Sequence, residues 1–170
     1  MVSPLALTPP VLRAGAGDDR AACLALCAAS CAHRDGSAHP GVAERAAPKF
    51  DAPAAWIVAD ADGEVVGFAL ATPPGSGGAD DPPEAVVLGL LAVDPRVQGA
   101  GLGRALLSAV TSELAEAGHR EAVLHVLSAN ETAVRLYESA GWEAFGAPRE
   151  HSLLKRPFQS YRLELGRACR

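Results

Sequence analysis

Leu91-Ala92-Val93-Asp94-Pro95-Arg96-Val97-Gln98-Gly99-Ala100-Gly101-Leu102-Gly103-Arg104 is the stretch that decides how this 170-residue chain is read. Upstream of it, residues 85–93 are nearly continuously apolar, as a strand buried on both faces and central to a sheet requires. Gly89 inside that run points to a bulge, or to the close approach of another backbone or a ligand. Asp94-Pro95 ends the strand. Downstream, Leu102, Leu106, Val110 and Leu114 fall on one helical stripe, and Gly118 suits the residue after a helix end. A glycine-rich turn between such a strand and such a helix presents backbone N–H groups with no side chains in the way. The helix start adds unpaired N–H groups and the positive end of its dipole, which makes an anion site suited to a phosphate or pyrophosphate. Plain helix entry or tight packing would use the same glycines.

Two common nucleotide readings fail on spacing. A dinucleotide site needs G-x-G-x-x-G. Counting from Gly99 puts Arg104 at the third glycine, and counting from Gly101 puts Leu106 there. A Walker A loop ends in Gly-Lys-Ser/Thr, and Gly103-Arg104-Ala105 does not. What remains is Q/R-x-x-G-x-G/A, met by Gln98-Gly99-Ala100-Gly101-Leu102-Gly103.

Outward from this stretch the chain alternates strands and helices. A short strand around Val11 to Arg13 leads through Gly15-Ala16-Gly17 to a helix over 19–32 with Asp18 as its cap. Residues 33–53 carry several Gly, Pro and Ala and one short helix around 42–47. Apolar runs at 55–59 and 65–71 flank Asp62-Gly63, a hairpin signal. Residues 73–83, rich in Gly, Pro and Asp, read as a mobile loop. Strand 122–127 precedes a helix capped by Asn130, with Ala133, Leu136, Tyr137 and Ala140 facing in and Gly141 ending it. Strands at 142–145 and 158–165 close a mixed α/β domain with helices packed on a sheet. No internal repeat is visible.

Composition narrows the function classes. One domain fits this length, and 49% hydrophobic with 21% charged residues is ordinary for a globular chain. A net charge of −5 with no cationic block argues against nucleic acid as a partner. The longest apolar run, 21–32, is too short to span a membrane, and no leader pattern opens the chain. A cytoplasmic protein, a monomer or homodimer, is the expectation. Cys23, Cys27 and Cys31 share one helix face, but ligands stacked at that spacing do not match structural zinc patterns. They read as small core thiols, and no metal site is expected.

The glycine turn resembles motif A of the GNAT family of N-acetyltransferases. Leu91-Ala92-Val93-Asp94-Pro95 is similar to the end of that family's fourth strand. Leu124-His125-Val126-Leu127-Ser128-Ala129-Asn130, with Ala133, Leu136-Tyr137-Glu138 and Gly141-Trp142, resembles its motif B, with Trp where Phe is usual. The resemblance covers roughly residues 10–165. It implies a mixed α/β GNAT fold: a mostly antiparallel sheet of six to seven strands, splayed between strands 4 and 5 and flanked by about four helices. Residues 1–170 would form a single domain, with 1–9 as a flexible extension.

The resemblance also implies roles. Acetyl-CoA is the expected cofactor, with Leu91, Ala92 and Val93 pairing with its pantetheine arm. The N–H of Val93 would hold the oxyanion. Gln98, Gly99, Ala100, Gly101, Leu102, Gly103 and Arg104 would wrap the pyrophosphate, and Asn130, besides capping its helix, would contact the cofactor. Tyr137 would protonate the departing thiolate as general acid; packing on the helix's inner face is its bland alternative.

The general base is open. Many relatives use a Glu on the fourth strand, where this chain offers none; Glu84 at its mouth is the nearest carboxylate. In the ribosomal-protein acetyltransferase branch a Glu lies five residues before the Asn, and His125 holds that position here. A neutral imidazole can serve as base, and a hydrogen-bonded structural histidine is the alternative. Asp80, Asp81 and Glu84 would either attract a cationic amine or form a solvated acidic loop. His151, Lys155 and Arg156 could meet an acidic substrate. The expected reaction is direct acetyl transfer to a primary amine, of a small molecule or alternatively a protein N-terminus. No cysteine in either motif could carry the acyl group. An acetyl-CoA sensor without turnover is the other reading.

Overall fold

The hairpin signal at Asp62-Gly63 is realised by two residues with φ of 52° and 88°, the left-handed pair that lets neighbouring strands keep their natural twist. It joins strand β2 (Ala55–Ala61) to β3 (Glu64–Thr72). In this computed structural model, which describes residues 8–166, that hairpin supplies two strands of a seven-stranded sheet. The first seven residues of the expected extension, and Cys169, lie outside the described residues.

The other strands are β1 (Val11–Ala14), β4 (Val86–Val93), β5 (Glu121–Leu127), β6 (Glu143–Glu150) and β7 (Pro157–Glu164), in the order β1-β2-β3-β4-β5-β7-β6. Five of the six pairings are antiparallel; β4 and β5 are parallel. A parallel pair needs a crossover, and helix α3 (Leu102–Glu116) supplies it. The fold is the mixed α/β arrangement the sequence implied.

Among the described residues, four helices cover the sheet. On one face α3 buries Leu102, Leu106, Val110 and Leu114 against Val66, Val86, Leu124 and Val126, and α4 (Glu131–Ser139) adds Tyr137. On the other, α1 (Arg20–Asp35) and α2 (Gly41–Ala46) cover the first strands. Cys23, Leu26 and Cys27 pack there with Phe50, Val58, Phe68 and Leu70. Each fully buried Leu or Phe of these layers contributes roughly 1.5–3 kcal/mol. Burial pushes the Cys23 and Cys27 thiols up to about 12, so they are inert packing groups. Among the described residues, no helix is long and apolar enough to cross a membrane.

Three details differ from the sequence reading. Asp19, not Asp18, stands at the start of α1, and its side chain caps no amide of that helix: the carboxylate accepts the Ala16 N–H at 2.8 Å and an N–H from each Arg13 Nη at 2.8 Å. Strand β6 runs on to Glu150 rather than ending at Phe145, through a register shift between Phe145 and Arg149. Residues 73–85 form no helix or strand, yet they are held to the sheet: Asp80 pairs with Arg149, and Asp81 with His125.

Candidate active site

Beyond Val86↔Ala122 and Val87↔Val123, β4 and β5 part company. A wedge therefore opens between Leu88–Val93 and the rest of β5. Gly89 marks where β4 bends: Leu90 pairs with Leu70 and Leu88 with Ala71, so Gly89 is the extra residue of a bulge.

The direction of the backbone along β4 follows from one hydrogen bond. Asp94 N–H donates to Val66 O on β3 at 2.8 Å. Extended residues alternate, so Val93 and Leu91 turn their N–H groups the other way, into the wedge. Ala92, opposite Phe68, turns its backbone toward β3 and its methyl into the core. Of the three strand residues implied in cofactor binding, Leu91 and Val93 offer the wedge backbone groups and Ala92 does not.

The turn after β4 is built to expose amides. Asp94 caps a 3-10 turn (Pro95–Val97) by accepting Arg96 N–H at 2.9 Å, and the Arg96 guanidinium holds its carboxyl below the usual carboxylate range. Gln98 Nε2 reaches back to Val93 O at 3.2 Å. Gly99 and Gly101 have φ of 88° and 81°, and a Cβ on either would meet no protein atom within 4 Å. The first bond of α3 is Ala105 N–H to Gly101 O. The amides of Leu102, Gly103 and Arg104 therefore have no intrahelical acceptor. No acidic residue lies in that first turn. Ala100 completes the loop, the Leu102 side chain anchors it in the core, and the Arg104 guanidinium donates to Ser139 Oγ on α4 at 2.7 Å.

Tyr137 comes from α4, its ring buried and edge-on to Trp142 at 6.1 Å between centroids. Burial pushes its phenol up to about 12, so it stays protonated across the neutral range. Asn130 caps the same helix, accepting Ala133 N–H at 3.4 Å.

His125 lies on β5 two residues past its last pair with β4, on the side of the sheet opposite Leu124 and Val126. Its Nε2 is 2.9 Å from Asp81 Oδ2 and 3.0 Å from Oδ1. Asp81 is buried and also accepts Gly78 N–H at 2.7 Å. Of the three acidic residues weighed from sequence, Asp81 therefore does not belong to a solvated loop, because its carboxylate is out of water and paired. An aspartate on Nε2 keeps the proton there and leaves Nδ1 as the lone-pair nitrogen of the neutral ring. Phe158 packs edge-on against His125 at 5.6 Å. Glu84 is exposed in the turn before β4, at the paired end of the two strands, and hydrogen-bonds neither His125 nor Tyr137. Sequence reasoning missed the pairing of Asp81 with His125, because nothing in a separation of 44 residues announces it.

A scan against protein-family models matches residues 27–142 to the acetyltransferase (GNAT) family. The chain belongs to that family. Acetyl-CoA is the family's acyl donor. Among curated GNAT relatives, the mycothiol acetyltransferase of Streptomyces avermitilis is 38% identical over 135 residues, covering 74% of this chain and 40% of that protein. That of Thermobispora bispora is 43% identical over 97 residues, 56% of this chain and 32% of its own length. The chain thus spans well under half of these relatives. Among solved GNAT structures, the ribosomal-protein-S18-alanine N-acetyltransferase from Escherichia coli superposes with a TM-score of 0.72 at 21% identity, over 94% of this chain and 96% of that one. A phosphinothricin acetyltransferase from Sinorhizobium meliloti, solved with AcCoA, gives 0.72 at 20% identity, over 94% and 90%. At these identities the likeness is one of fold.

Proposed function

We propose that residues 1–170 form a single acetyltransferase domain that moves acetyl from acetyl-CoA to a primary amine of a small molecule, directly, in a ternary complex. The observation that carries this reading is the open edge of β4. Its outward N–H groups at Leu91 and Val93 lead straight into the unobstructed amides of 99–104. A strand edge followed by an anion cradle fits a ligand with an amide-bearing arm and a pyrophosphate. The names of the curated relatives favour a small-molecule acceptor.

Acetyl-CoA would supply an activated thioester. Leu91 and Val93 would hold the arm through backbone groups, and Val93 N–H would meet the carbonyl oxygen as negative charge develops on it. Gly99, Gly101 and the first amides of α3 would hold the pyrophosphate, with Gln98 closing the strand end and Asn130 flanking it. His125, its ring fixed by Asp81, would take the proton from the acceptor ammonium at Nδ1. Tyr137 would give its proton to the leaving sulfur. Glu84 is left as the base of second resort, acting through water.

A calorimetric titration with acetyl-CoA, with NAD as control, tests the reading, followed by thiol release over a panel of amines. Micromolar binding of acetyl-CoA alone, and amine-dependent thiol release, are expected. Absence of acetyl-CoA binding would overturn the proposal.

A further inference from the structure

Lys49 is a charged group on the α1–α2 side of the sheet that the mechanism above leaves unused. It belongs to a 3-10 turn (Ala47–Phe50) pinned by Phe50, whose ring meets Trp56 at 5.0 Å and Phe68 at 5.8 Å. From that anchor the Lys49 side chain lies across the bulge of β4. Its Cδ is 3.3 Å, and its Nζ 3.4 Å, from where a Cβ on Gly89 would sit. Nζ donates to Gly89 O at 3.2 Å. Gly89 is the residue that the bulge leaves without a partner on β3, and it precedes by two the first N–H that faces the wedge.

An ammonium in this position is poorly compensated. Its partner is a neutral carbonyl, and among the described residues no carboxylate pairs with it. Burial pushes the amine below its ordinary value, and Arg45 pushes the same way against the opposing influence of Cys27. Burial of this kind favours the neutral form of a lysine relative to one in water. Whenever the amine is neutral, one N–H kept on Gly89 O orients the nitrogen and leaves its lone pair free. It is then a primary amine held at the strand edge where an acyl donor would lie.

Resting on the acetyltransferase reading above, we propose that Lys49 is itself an acetyl acceptor, modified within the same molecule that binds acetyl-CoA. The neutral Nζ forms the new N–C bond to the acyl carbon as the C–S bond breaks. The electron pair of that bond leaves on sulfur, which takes a proton from Tyr137. Nζ gives one proton to solvent, and solvent returns one to the phenol. The products are Nε-acetyl-Lys49 and free CoA, with no other reactant required.

The chain contains two lysines, and the other, Lys155, is exposed on the turn between β6 and β7, which makes it an internal reference. The unmodified protein is incubated with acetyl-CoA, digested, and both lysine-bearing peptides are followed by mass spectrometry. Lys49 should acquire acetyl on the order of tenfold faster than Lys155, as a preset amine should. Its rate should saturate at the acetyl-CoA dissociation constant found by calorimetry, and should not depend on protein concentration. Equal rates at the two lysines with acetyl-CoA bound would overturn the proposal, and so would a Lys49 rate that climbs linearly without saturating. Failure of acetyl-CoA to bind in the calorimeter would instead remove the acetyltransferase reading and this inference with it.

Discussion

Asp81 and His125 stand 44 residues apart in the chain, and their side chains meet at 2.9 Å, a buried carboxylate on the Nε2 edge of an imidazole. The contact does two things at once. It holds the loop before β4 against β5, and it assigns the ring proton to the nitrogen facing Asp81, so that the other nitrogen can accept one.

With His125 as the base, His125→Gln should lower kcat by about 10²-fold or more while acetyl-CoA affinity is kept. Asp81→Asn should lower kcat in the same sense with little change in acetyl-CoA affinity, because an amide no longer enforces the reactive tautomer. An unchanged kcat in His125→Gln would move the role to Glu84 or to water.

Tyr137 gives a test of proton delivery. With its phenol raised to about 12 by burial, it stays protonated throughout the working range and should contribute no alkaline limb below that pH. Tyr137→Phe should slow turnover by roughly 10²-fold, while calorimetry finds acetyl-CoA bound as tightly as before. Equal loss of binding and rate would mean that the ring only packs.

The glycine cradle can be closed from inside. Gly101→Val places a branched side chain at a φ of 81° in a space that no protein atom fills. The left-handed conformation costs about 1–2 kcal/mol, which circular dichroism on melting would register as a lowered Tm. Acetyl-CoA affinity should fall at least about tenfold beyond that, measured on the folded protein. Unaltered affinity would remove the pyrophosphate from this turn.

Alkaline stability should follow the buried thiols. Cys23 and Cys27 are raised from 9.0 to about 12 in the folded protein. The unfolded chain therefore releases their protons first, and the stability they contribute, complete below pH 9, is lost as pH rises toward 12. Tyr137 adds to the same slope above 10. The urea midpoint should be lower at pH 10 than at pH 7, and replacing both cysteines by Ala should shrink that difference. A difference that survives in the double variant would shift the cause to other groups.

Local physics made most of the fold, and the contiguous motifs of the candidate site, readable in the one-dimensional chain. The Asp62-Gly63 hairpin, the apolar run of β4 with its glycine bulge, the stripe of α3 and the Asn130 cap are each set by neighbours within one turn or one strand. For the same reason the glycine turn of 99–103 and Tyr137 stand out in the sequence as candidate site residues, since both lie in contiguous motifs. The expected Asp18 cap gave way to an Asp19 that caps no helix amide, because Asp18 and Asp19 are equivalent locally and the pairing with Arg13 across the turn engages Asp19. What tertiary structure decided is everything that depends on which surfaces meet. The wedge exists because β4 and β5 pair over only two residues before twisting apart. The partner of His125 comes from a loop that the sequence marks merely as acidic and irregular, and Lys49 reaches the bulge of β4 only because Phe50 is seated in the core beside it. Periodicity and motif spacing report the forces a residue feels from its own segment; charge pairing and desolvation are fixed by segments that folding brings together.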